Sequence, residues 1–185
     1  MTVYVSFDDT DSTEGLCTTH LATEIIDKIG LDLIGYPKLI RLNPAVPWKT
    51  RGNGSVFMRF GVGHGTKKKI GEINGKEISF YVKSKKVPIN QFELLEQLIP
   101  IVEKYRDPNS DSGIIISERK PGPSLYWDGV RHILEKDEII KILDGINAEY
   151  HEFGNGRGLI GAACAMSSRL QDRTYEYIAY RYREN

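Results

Sequence analysis

TVYVSFDDTDSTEGLCTTHLATEIIDKIG, residues 2–30, is the stretch on which the reading of this protein turns. Thr2 to Phe7 is β-branched and aromatic and stops at aspartates, the pattern of a buried strand ending in a loop. From Thr18, the residues Leu21, Ile25, Ile26 and Ile29 recur at helical intervals, and Gly30 marks the stop. Strand, acidic loop and helix form one unit, with Asp8, Asp9 and Asp11 at the C-terminal end of the strand.

The alternation continues along the chain. LIGYPKLIRL (33–42) reads as a second strand running into NPAVPWKTRGNG (43–54), a loop because its prolines and glycines forbid regular structure. SVFMRFGVG (55–63) and ISFYVKSK (78–85) read as strands, with GHGTKKKIGEINGK (63–76) an exposed connection between them. Residues 90–105 have helical periodicity that Pro100 should kink or divide. DPNSDSG (107–113) is turn-like, GIIIS (113–117) a buried strand, KDEIIKILDGI (136–146) and GLIGAACAMSSRL (158–170) helices, and TYEYIAYRY (174–182) a closing strand. The expectation is an α/β fold, a single layered domain over residues 1–185 with a mixed β-sheet flanked by helices.

Composition narrows the function classes. Lys plus Arg and Asp plus Glu are both 25, so no global field draws the chain to nucleic acid or to an anionic membrane, and any such contact must be local. Cys17 and Cys164 are the only cysteines and lie far apart, which excludes a zinc site built on a cysteine pair. Neither a signal-peptide pattern nor a long apolar run is present, so the expected location is cytoplasmic, without membrane association.

Clustered carboxylates raise one another's pKa and resist burial, so Asp8, Asp9 and Asp11 call for a positive partner. Mg²⁺ suits them, because it takes one or two carboxylates and leaves its other positions to water and phosphates. The alternative is a solvated Asp-rich turn that caps the next helix. An EF-hand loop fits poorly, since Glu14 and His20 stand where its glycine and its bidentate glutamate belong. Thr18 and Thr19 open the helix, where an anion is favoured, although Thr18 also reads as a plain N-cap.

Two further loops carry chemistry. Around Trp48, the cations Arg41, Lys49 and Arg51 are followed by Gly52, Asn53 and Gly54, a combination suited to phosphate or nucleotide and equally to a stiff solvated loop. GNGRGLIGA (154–162) satisfies GxGxxG at Gly156, Gly158 and Gly161, but too little chain follows for a Rossmann unit. A turn presenting N–H groups and Arg157 to a phosphate reads better, and no Walker motif exists. Of the histidines, His20 is near enough to the threonines for a site role; His64, His132 and His151 read as surface or packing residues.

DDTDSTEGLCTTH, RLNPAVPWKTRGNG and GNGRGLIGA, in this order, resemble the N-terminal kinase-like domain of the archaeal tRNA(Ile) 2-agmatinylcytidine synthetases. The resemblance implies an ATP-dependent enzyme that phosphorylates the C2 carbonyl of the wobble cytidine so that agmatine displaces the oxygen. On it, Asp8, Asp9 and Asp11 hold Mg²⁺ against ATP phosphates, and Thr18 is the autophosphorylated position. Thr19, Lys49, Arg51, Gly52, Asn53, Gly156, Arg157 and Gly158 surround the nucleotide. The implied partners are ATP, tRNA(Ile) and agmatine, with no membrane and no stated oligomeric state. The family also implies ferredoxin-like, OB-fold and zinc-ribbon modules, and since the sequence reads as ending at Asn185 before any of them, the expectation is either a fragment or a stand-alone relative of the kinase-like domain. Two rival expectations stand beside this one: a non-catalytic nucleotide- or tRNA-binding module, and a metal-dependent phosphohydrolase.

Overall fold

In the computed structural model, which describes residues 1–11, 16–50 and 52–179, β1 (Thr2–Asp8) lies well inside an eight-stranded sheet. It bonds antiparallel to β4 (Gly54–Gly61) on one side and to β7 (Gly113–Ser117) on the other. The interior position follows from the side chains, because Val3, Val5 and Phe7 are fully buried on one face. On the opposite face Ser6 is equally buried, its Oγ 2.9 Å from the Val56 carbonyl and 2.8 Å from the Ala162 carbonyl.

Helices cover both faces. α1 (Thr18–Lys28) and α2 (Gln91–Tyr105) bring Leu21, Ile25, Leu94, Leu98 and Val102 against Val3, Val5 and Phe7. α3 (Ser124–Arg131), α4 (Lys136–Gly145) and α5 (Gly158–Ser167) bring Leu125, Ile139 and Leu143 together with Leu159 and Met166 against Phe57 and Ile115. α5 is apolar all round, as a helix enclosed between a sheet and other helices must be. Its glycines allow it to approach the backbone of the sheet closely.

The expected mixed sheet is present, in the order β5 (Gly63–Ile73), β6 (Lys76–Ser84), β2 (Asp32–Ile34), β4, β1, β7, β8 (Glu149–Glu152), with β3 (Lys38–Arg41) also paired to β4. Only β2 (Asp32–Ile34) against β6 (Lys76–Ser84) is parallel among these pairs. The 33–42 segment is two strands rather than one, β2 and β3 (Lys38–Arg41), because Gly35 takes φ +79° and Pro37 follows it.

Other expectations are corrected. The 63–76 stretch is a strand, β5 (Gly63–Ile73), joined to β6 by the two-residue turn Asn74-Gly75 with φ of 50° and 79°. Its lysines lie on an edge strand, where exposed charge discourages pairing with other chains. That composition hid the strand. Pro100 does not divide α2; it stands on the exposed side, where water can satisfy the carbonyl that loses its partner. Residues 174–179 are irregular instead of a closing strand, with Tyr175 leaning edge-on against Tyr36 at 5.3 Å, and 180–182 lie outside the described residues. α3 and the short β8 (Glu149–Glu152), paired to β7, had no clear sequence pattern.

Gly113 is the tightest test of the α5 packing, because a Cβ there would overlap the backbone of Gly158 and Leu159. Gly113→Ala should cost about 1–3 kcal/mol of unfolding free energy in urea titration, the ordinary penalty of overpacking, or more if the backbone cannot shift. At Gly145, where nothing lies within 4 Å of an added Cβ, alanine should be neutral or stabilising by up to about 1 kcal/mol.

Candidate functional site

β1, the 43–54 loop and the start of α5 meet at one cleft of about 810 Å³, counted out to its mouth. Asp8, Asp9 and Asp11 line it with Thr18; Lys49, Gly52 and Asn53 face them from the loop, and Arg157 and Gly158 from α5. Thr19 and Gly156 do not line it. Thr19 Oγ1 sits 3.0 Å from Cys17 Sγ, and Gly156 serves the turn with φ +70°. Arg51 lies outside the described residues.

The acidic turn is shaped by close packing. Asp9 takes a left-handed φ of 55°, and its N–H donates to Asp8 Oδ1 at 2.8 Å. Ser112 Oγ donates to the Asp9 carbonyl at 2.7 Å, and the Asp107 N–H to the Thr10 carbonyl at 3.0 Å, so the 107–112 turn buttresses the aspartates. A Cβ at Gly161 would overlap the Asp8 carboxylate, and one at Gly158 the Asp8 carbonyl. These two glycines are what admit Asp8 beneath α5.

Burial there raises the Asp8 pKa to about 7, helped by the charges of Asp9 and Asp11 and opposed by the Asp9 N–H. Asp9 is also raised, first by burial and then by Asp111 and Asp11, against the lowering effect of Arg157. Cys164 borders the cleft, but burial first, then Asp8 and Asp128, push its thiol up to about 12, which removes it as a nucleophile.

This surplus of negative charge fits a bound cation. Among the described residues no three His, Cys, Asp or Glu side chains are arranged to enclose a metal. An open cleft with a few carboxylates therefore suits Mg²⁺, which draws its remaining ligands from water and phosphate, better than it suits a closed metal centre.

Three local expectations change. The N-cap of α1 is Cys17, not Thr18; Thr18 is the first helical residue, buried, and its Oγ1 accepts from Thr10 Oγ1 at 3.1 Å. The α5 turn does not present its N–H groups to an anion. Gly156, Gly158 and Leu159 donate to the carbonyls of Phe153, Asp111 and Gly156, and the Arg157 N–H to Asn155 Oδ1. The Arg157 side chain is what the turn contributes. His20 does not line the cleft but stands 5.8 Å edge-on to Tyr105. His132, expected as a surface or packing residue, is on the cleft rim with Ile133 and Leu134.

Sequence reasoning missed Asp111 and Thr50. Asp111 Oδ2 pairs with Arg157 Nη2 at 3.0 Å, while the guanidinium lies 4.8 Å from the centre of the Trp48 ring. Thr50 Oγ1 donates to Asp11 Oδ1 at 2.9 Å. Asp111 lies in a segment whose composition reads as an ordinary turn, and its pairing with a residue 46 positions away leaves no local mark.

The family model of the TiaS TCKD domain matches residues 4–155, and that of the TiaS FLD domain residues 156–185. The two family models meet between residues 155 and 156, at the turn into α5, so a match to a further module begins before Asn185 and not after it. The tRNA(Ile) 2-agmatinylcytidine synthetase TiaS of Thermoplasma volcanium is 36% identical over 185 residues, covering 97% of this chain and 41% of that protein. Its counterpart from Methanocorpusculum labreanum is 33% identical over 183 residues, with 97% and 38% covered. The chain spans about two-fifths of the length of these relatives. The crystal structure of a complex of TiaS with tRNA and ATP superposes with a TM-score of 0.71 at 28% identity, over 93% of this chain and 37% of that one. Apo TiaS gives 0.70 at 26%, over 93% and 36%. With the first family model taking in most of the sequence and the same fold in both structures, the chain belongs to the TiaS family.

Proposed function

We propose that this chain is the ATP-using, Mg²⁺-dependent phosphoryl-transfer part of a cytoplasmic tRNA(Ile) 2-agmatinylcytidine synthetase. Residues 1–185 act as one unit, since α5, on the far side of the family boundary, packs against β1 and β7. Phosphorylation of the C2 carbonyl oxygen of the wobble cytidine converts it into a leaving group, which the agmatine amine displaces. The observation that carries the reading is the meeting of three carboxylates and two cations from distant loops in one cleft.

Each group has a part. Asp8, Asp9 and Asp11 line the position for Mg²⁺, which would take one or two of their carboxylates, draw its other ligands from water and phosphate, and when bound offset phosphate charge. Lys49 and Arg157 donate to phosphate oxygens, and Arg157 is aimed by Asp111 and Trp48 so that little freedom is lost on binding. Thr18, held by Thr10 and lining the cleft with the aspartates, would accept a phosphoryl group. Gly52 and Asn53 let the backbone come close to the nucleotide. Relatives of this chain have been crystallised as complexes of TiaS with tRNA and ATP, and of TiaS with tRNA, AMPCPP and agmatine, which agrees with these substrates.

ATP turnover with Mg²⁺ is expected, with Asp9→Asn lowering it by about 10²–10³, the usual loss for a missing electrostatic group. Label from γ-phosphate-labelled ATP should reach Thr18 and be absent in Thr18→Val. A chain that neither binds nor turns over ATP would sink the proposal. ATP binding with unaltered kinetics in Asp11→Asn would mark a non-catalytic module, and cleavage of phosphomonoesters without ATP a phosphohydrolase.

Metal-free stability gives a second check. With the folded pKa of Asp8 at about 7 and the ordinary value at 3.8, the native state binds the extra proton between them. Stability should therefore fall as pH rises from about 4 through 7 and stay low above it. Asp8→Asn should remove this slope and stabilise the metal-free chain at pH 8 by a few kcal/mol in denaturant titrations, roughly 1.4 kcal/mol per pKa unit. Mg²⁺ should then raise the melting temperature of the parent chain more than that of the variant.

A further inference from the structure

Tyr4, Ser6 and Asp8 follow one another on the same face of β1, which runs beneath α5 from the acidic cleft at Asp8, past the fully buried Ser6, to Tyr4. Asp8 meets the beginning of α5 at Gly161, Ser6 its middle at Ala162, and Tyr4 stacks on Phe57 at 5.6 Å near its end. Tyr4 and Asp8 are four steps apart along the strand, roughly 13 Å at about 3.3 Å per step.

Cations gather at this second end. Lys120 Nζ lies 4.6 Å from the Phe57 ring centre and 5.7 Å from that of Tyr4, and Lys38 Nζ lies 5.8 Å from Phe57 on the same ring system. Arg59 is near enough to both lysines, and Arg169 and Arg173 near enough to Lys38, to depress their basicity. Among the described residues none of these five has a carboxylate partner. Burial first, and then Arg169, Lys38 and Arg59, bring the Lys120 pKa down to about 7.

Helix capping accounts for part of the cluster. Lys120 donates to the Ser168 carbonyl at 2.8 Å and Arg169 Nη1 to that of Met166 at 3.4 Å, and cations are favoured at the end of α5. Capping gives no reason for Lys38 and Arg59, which come from β3 and β4 and crowd further positive charge onto an end that already has two cations. Like charges gathered with no counterion cost free energy that a bound anion returns. The partly exposed Tyr36 (44% accessible) borders the patch, its neighbour Gly35 lying beside the Arg59 guanidinium. Cations next to an aromatic edge suit single-stranded nucleic acid better than free phosphate.

We infer that Lys38, Arg59, Lys120 and Arg169 form a second binding site on this chain, which holds backbone phosphates of the RNA strand whose target base enters the acidic cleft. The choice of RNA as the polyanion rests on the function proposed above; the need for an anion rests on the cluster alone. The patch supplies locally the attraction that a chain with no net charge lacks overall.

The test is fluorescence anisotropy of the full chain with a short labelled single-stranded oligoribonucleotide, titrated at several KCl concentrations. Lys38→Gln combined with Arg59→Gln should weaken binding about tenfold at 0.1 M salt and lower the slope of log affinity against log salt by about 1, given about 0.7 per phosphate contact. Lys67→Gln with Lys69→Gln, which removes as much charge from edge strand β5, should change neither quantity comparably, and Lys120→Arg should retain affinity. Circular dichroism confirms that each variant is folded. Unchanged RNA affinity and slope in the patch variant overturn the inference and leave a helix cap. Absence of RNA binding by the parent chain at low salt overturns it as well. Loss of inorganic phosphate binding without any change for RNA reassigns the patch to small anions and overturns the RNA site. ATP affinity, followed in parallel, should be the same in the patch variant and the parent. A chain inert toward ATP but showing the expected salt slopes would refute the proposed function and leave the RNA site standing.

Discussion

The burial of the Asp8 carboxylate beneath α5 is the constraint on which the rest of this structure depends. A carboxylate at the end of an interior strand is costly, and here its neighbours are more carboxylates. The fold tolerates it because Gly158 and Gly161 remove the side chains that would otherwise occupy its place. Those same glycines bring α5 onto β1 and β7, so the packing that stabilises the helical layer also creates an electrostatic demand. That demand is what makes the cleft a site.

Secondary contacts turn the demand into geometry. The 107–112 turn pins the backbone of the acidic loop through Ser112 and Asp107, and Asp111 reaches from the same turn to orient Arg157. One turn therefore sets the positions of both the negative and the positive walls. Trp48 gives Arg157 a flat surface and closes the side facing the 43–54 loop. With the guanidinium held at two points, its charge is preorganised for an anion that arrives with its own counterion.

α5 links the two ends of the functional face. Its N-terminal turn is satisfied internally, by carbonyls of Asp111, Gly156 and Phe153 and by the Asn155 side chain. Phosphate recognition at the cleft is thereby left to side chains rather than to helix N–H groups. At its other end, cations from three different strands and loops converge around Tyr4 and Phe57. The face carries excess negative charge at one end and excess positive charge at the other, a polarity that the balanced composition conceals.

Much of this was legible in the chain itself. The run Thr2–Phe7, the aspartates after it and the periodic Leu21, Ile25 and Ile29 specify strand, acidic loop and helix, because burial at a period of two or of 3.6 leaves a local record. The nature of the three loops was likewise readable from residue type. What the sequence could not state was pairing between distant positions. That Asp111 holds Arg157, that Cys17 and not Thr18 caps α1, and that the α5 N–H groups are already engaged are consequences of contacts formed only when the sheet is assembled. The lysine-rich β5 escaped for a related reason: an edge strand need not bury a face, so its side chains carry no alternation, and only the ladder to β6 makes it a strand. Local chemistry chose the groups; tertiary packing chose which of them face one another, because charge and hydrogen-bond complementarity act through space and not along the chain.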